Sequence, residues 1–214
     1  MATLTEEIIC NQALTAIGAA RITDITSTTQ KNARECNAIY QYVRNSVLTD
    51  FMWSFAQKRV ALVESADPDP VWTDDWVTIA YDKPADMLQL NFVNQRGALV
   101  KVEGSQILSD SSELQIKYTY EVTDVTQFTF KFVEALAAKL AAELAISISN
   151  KVSGAEKLFD IYYKKKLPQA VTLDSQQGTP QAAIANEWLG ARRIGSSEII
   201  GQTGWDTWFP WCGI

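Results

Sequence analysis

Four carboxylates lie close together at Asp67, Asp69, Asp74 and Asp75, and of all the residues in this chain they come nearest, by type and spacing, to chemistry. Paired carboxyl groups divide the work of acid and base in glycoside hydrolysis, and a larger set of oxygens can hold a divalent ion. Pro68 and Pro70 interleave with them, a composition that equally makes an exposed turn between strands. The run Lys164-Lys165-Lys166 is a second candidate, for contact with a phosphate; in an otherwise acidic chain it reads instead as a solvated helix face. Cys10, Cys36 and Cys212 complete the reactive types. They are odd in number and far apart in sequence, without zinc-site spacing, and this usage points to a reducing, intracellular setting. Cys10 and Cys36 fall on apolar helix faces, where cysteine serves as a small core residue.

Composition excludes more than it offers. The chain has no histidine, which removes the commonest general base, the imidazole metal ligand and any Ser-His-Asp triad. Phosphate loops, dinucleotide fingerprints, nucleophile elbows and EF-hand loops are also absent from the sequence. No catalytic, cofactor-binding or metal-binding residue is therefore assigned. A formal net charge of −6 argues against a protein that grips phosphates non-specifically. With 47% hydrophobic and 21% charged residues, the chain is in the globular range. Its first residues carry Glu6 and Glu7 where a signal peptide needs positive charge, so export by that route is not expected.

The elements that would position these groups are organised around the apolar run from Gln127 to Ser149. Val133, Leu136, Leu140, Leu144 and Ile148 stack on one side of a helix, beside a row of Ala137, Ala141 and Ala145. Small residues on the remaining faces predict a central helix enclosed by others, and the charges Lys131, Glu134, Lys139 and Glu143 argue against a membrane span. Before it, Thr3 and Glu6 have the spacing of a capping box for a first helix with Ile9, Ala13, Leu14 and Ile17 on its apolar face, stopping at Gly18. A second helix is expected from an N-cap at Thr28 or Thr29, with Ala33, Cys36, Tyr40, Val43, Val47 and Phe51 inward.

From residue 55 the period changes to alternation. Strands are predicted over 55–63, 76–81, 87–93, 98–102 and 114–120, with a short extra hairpin strand within 104–110. A fourth helix should begin near Ser153 and Glu156, be kinked or interrupted at Pro168, and then run on towards Gln176. The pattern as a whole predicts an α+β fold, mainly α. Residues 1–54 and 125–178 form an antiparallel helical bundle, 55–124 an inserted small antiparallel β element, and 179–214 an extended C-terminal tail. That tail ends in Trp205, Trp208, Phe209 and Trp211; with Arg192 and Arg193 these are the candidate protein-interface residues. Four aromatics bury too little surface to offset the entropy of ordering so long a segment, so the tail is expected to order only against a neighbouring subunit or a partner.

Three segments read together carry a resemblance: Asn11-Gln-Ala-Leu-Thr-Ala-Ile-Gly18, Tyr81-Asp-Lys-Pro-Ala-Asp-Met-Leu88, and Tyr118-Thr-Tyr-Glu-Val-Thr-Asp124 leading into Phe132-Val-Glu-Ala-Leu-Ala-Ala-Lys-Leu-Ala141. In that order the chain resembles the tail tubular protein A family, the head-to-tail adaptors of short-tailed bacteriophages, over roughly residues 4 to 178. The resemblance implies a structural virion protein of the head-tail junction, made in the host bacterial cytoplasm and assembled as a dodecameric ring. Its partners would be its own copies, the portal protein, the tail nozzle protein, and DNA passing through the lumen without specific binding. It implies neither enzymatic activity nor a membrane. Two other classes stay open at this level: a cell-wall glycosidase working through the carboxylates at 67–75, and a monomeric binding module whose aromatic tail fills a groove.

Overall fold

Helix α1 (Glu6–Ala16) sets Glu6 and Glu7 in its first turn, at the positive end of the helix dipole. The computed structural model describes residues 4–67, 74–95, 97–149 and 152–177. Thr3 of the expected capping box lies outside them; Thr5 occupies the N-cap without a side-chain cap, and its carbonyl accepts from Ile8 and Ile9. Gly18 takes a φ of +72° just past the helix end, and the Ala19 amide closes on the Leu14 carbonyl at 2.9 Å, the left-handed stop that glycine makes without steric cost.

Helix α2 (Lys31–Asp50) starts later than expected, with Gln30 rather than Thr28 or Thr29 at its N-cap. The Thr29 hydroxyl is instead paired with that of Ser27 at 3.1 Å. Ala33, Cys36, Tyr40, Val43 and Val47 are buried as their spacing requires. Beyond it the predicted strand is shorter at its start, because Ser54–Ala56 form a 3-10 turn that directs Phe55 into an aromatic cluster. Trp53, Phe55, Phe128 and Phe132 meet there, with ring centroids 5.0 Å apart for Trp53–Phe132 and 4.8 Å for Phe128–Phe132. The buried Trp53 indole donates to the Val47 carbonyl at 2.8 Å, so its polar edge is satisfied.

The single β element expected from the sequence is two three-stranded antiparallel sheets. One has the order β1 (Gln57–Ala61), β6 (Gln115–Tyr120), β3 (Met87–Val93); the other has β2 (Ile79–Asp82), β5 (Gln106–Ser109), β4 (Val100–Glu103). Their inner side chains share one apolar cluster, Tyr81 and Ile107 from the second sheet with Met87, Ile116 and Tyr118 from the first. Segment 62–65 joins them: the Leu62 amide bonds Leu114 beside the first sheet, and the Ser65 amide bonds Ala80 in β2.

Helix α3 (Phe130–Ser149) is the centre of the helical part, packed by α1, α2, α4 (Val152–Ile161) and α5 (Leu167–Ser175). Leu136, Leu140 and Leu144 are fully buried, and so are Ala135, Ala141 and Ala142, whose small side chains admit close neighbours on the other faces. Pro168 does not break the last helix. A π-helical turn at Tyr162–Lys166 precedes it, with helical dihedrals at Ile161 and Leu167, and widens the backbone where proline removes a donor and crowds the preceding turn. α4, this turn and α5 therefore run on as one helix, giving four helices among the described residues. Among the described residues no helix is long and apolar enough to cross a membrane.

Leu140→Ala removes a fully buried side chain at the centre of α3 and is expected to cost about 2–5 kcal/mol in urea unfolding. Phe130→Ala, at a position 87% exposed, should change stability by no more than about 0.5 kcal/mol. Comparable losses in the two variants would contradict the placement of α3.

Candidate functional site

Of the four carboxylates singled out by spacing, Asp69 lies outside the described residues. The other three do not converge. Asp67 presents its backbone carbonyl to the Gln106 side chain at 2.9 Å, and Asp74 lies 3.5 Å from Lys101, whose ammonium also pairs with Glu103. Glu103 first, then Asp74, holds the Lys101 ammonium above its ordinary value, so Asp74 faces a fixed positive charge rather than another carboxyl. Among the described residues no three histidine, cysteine, aspartate or glutamate side chains are grouped to hold a metal ion.

The lysine run occupies the π-helical turn. Lys164 pairs with Asp160 one turn earlier at 2.9 Å, both largely exposed, and Lys165 is exposed as a solvated face requires. Lys166 departs from that expectation, because it is partly buried and tied to Glu134 of α3 at 2.9 Å. Cys10 and Cys36, distant in sequence, come into side-chain hydrogen-bond contact between α1 and α2. That contact, then burial, pushes the Cys10 thiol above its ordinary value, as suits an inert core residue. Cys212 and the interface candidates Arg192, Arg193, Trp205, Trp208, Phe209 and Trp211 lie outside the described residues.

What the fold does bring together is a set of polar joints that sequence reading missed. Arg44, almost fully buried on α2, reaches Glu121 just after β6 at 2.6 Å. The same Glu121 oxygen accepts from Gln41 at 3.0 Å and Asn45 at 3.1 Å. Hydrogen bonds from Asn45 and then Gln41, with the Arg44 charge behind them, hold the Glu121 carboxyl below the ordinary glutamate range. The Glu121 amide meanwhile bonds the Asp86 carbonyl at 2.9 Å. The Asp86 side chain accepts from Lys58 of β1 and from the Tyr118 hydroxyl of β6, the latter at 3.0 Å. Burial first, then Asp86, pushes the Tyr118 phenol up to about 12.

A second joint lies inside the helices. Lys139 of α3 donates to Ser46 at 2.8 Å and to Asp50 at 2.7 Å, both on α2, and stands 5.1 Å from the Tyr162 ring centre. The Tyr162 hydroxyl donates to the same Asp50 oxygen from the π-helical turn. Burial, then this bond, raises the Tyr162 phenol far above its ordinary value, so it keeps its proton at any working pH. A third joint sets Asp174 of α5 on the Ser54 amide and hydroxyl, at 2.8 and 2.7 Å, where it caps the turn that follows α2. The signal for these joints was present in the sequence as long charged residues beside apolar positions: Arg44 next to Val43, and Lys139 between Leu136 and Leu140. Each arrangement satisfies charge and locks one element to another. No protein-family model and no curated protein matches the chain.

Glu121→Gln is expected to lower stability by about 1–3 kcal/mol at neutral pH, because the neutral amide accepts the α2 donors more weakly than a carboxylate. A carboxyl whose folded pKa is depressed stabilises the fold above its unfolded value, and that contribution disappears as pH falls through the folded pKa. Urea unfolding of both proteins at neutral pH and at about pH 3 should show the gap closing in acid. A gap that stays constant would mean the ionised carboxylate is not what α2 holds.

Proposed function

We propose that the chain is a structural virion subunit, a head-to-tail adaptor of the tail tubular protein A type that assembles as a ring between the portal and the tail nozzle and lets DNA pass. The observation that carries this reading is the employment of the residues in the three resembling segments. Asn11 of the first segment both donates to the Ile22 carbonyl at 2.9 Å and accepts from the Ile22 amide at 2.8 Å, pinning the loop that follows α1. Asp86 of the second segment meets Tyr118 of the third, and Glu121 of the third is clamped by α2. Asp124 closes that segment by accepting from the Thr126 amide at 2.9 Å, which starts the turn leading into α3. The polar residues that carry the resemblance are joints of a frame, and such a set suits a family whose shared requirement is a rigid scaffold.

Charge supports the second half of the reading. A chain of formal net charge −6 tends to repel the phosphates of a duplex in a passage, which favours transit over binding. The dodecameric count, the portal and nozzle as neighbours, and the place at the head-tail junction come with the resemblance and form part of the proposal. Mass measurement of the purified chain with rings of the cognate portal protein is the test. A discrete ring-on-ring complex is expected; a chain that remains monomeric and unattached in the presence of portal rings, or one that hydrolyses cell-wall glycan, would overturn the proposal.

A further inference from the structure

No further inference is drawn: the strongest candidate, the surface patch of Val152, Phe159 and Tyr163, spaced to one side of α4 and the turn that follows it, is an apolar face for which nothing in the structure shows what covers it.

Discussion

One oxygen of Glu121 receives hydrogen bonds from Gln41, Arg44 and Asn45, and the position of nearly everything after β6 depends on it. Gln41, Arg44 and Asn45 are neighbours on α2 by helical spacing, so the helix offers a preformed set of donors and the carboxylate closes the set. Arg44 is nearly buried, and a buried guanidinium without its carboxylate is costly. The clamp fixes where the chain leaves the first sheet. From there Val122, Asp124 and Phe128 have few choices: Asp124 starts a 3-10 turn, Phe128 enters the cluster with Trp53 and Phe132, and α3 begins beside the end of α2.

The same logic repeats at the C-terminal end of α2. Asp50, at its last turn, accepts from Lys139 and Tyr162, which arrive from α3 and from the π-helical turn. The widened turn places Tyr162 inward while Pro168 follows without breaking the helix, so what a proline rule treats as an interruption serves to register α4 and α5 on the core. Asp174 then returns to Ser54, just past α2. Helix α2 is thus tied to α3, to the last helix and to the exit of β6 by charge-assisted bonds, while the apolar stripe of α3 supplies the burial. In the proposed adaptor ring, a subunit fastened in this way could pass load across its sheets without parting from its helices.

Much of this frame was legible because it is local. The alternation of Met87 to Val93 gives β3 with its observed ends, and the stripe from Val133 to Leu144 gives α3 and its burial. The short strand near Ile107 was legible too, since Gly104 allows the tight turn before it. Less legible were the features that depend on distant partners. β1 pairs with β6, and among the described strands only β4 and β5 pair as neighbours in sequence, so periodicity alone made one β element of what are two stacked sheets. Phe55 fits strand alternation, but the aromatic cluster claims it. Asp74 was legible as a carboxylate and illegible as the partner of Lys101, and the meeting of Cys10 with Cys36 is set by the crossing of two helices. Arg44, Lys139 and Glu121 gave the weakest signal, because a charge beside an apolar face belongs to solvent or to a partner according to residues far along the chain.

If the joints at α2 make helices and sheets one cooperative body, the body should open as one. Native-state hydrogen exchange reads this directly, amide by amide. The slowest amides of β6 and of α3 should exchange with the same opening free energy and the same dependence on denaturant, equal to those of global unfolding. Sheets that open at distinctly lower free energy while α3 stays protected would show that the Glu121 clamp does not couple them.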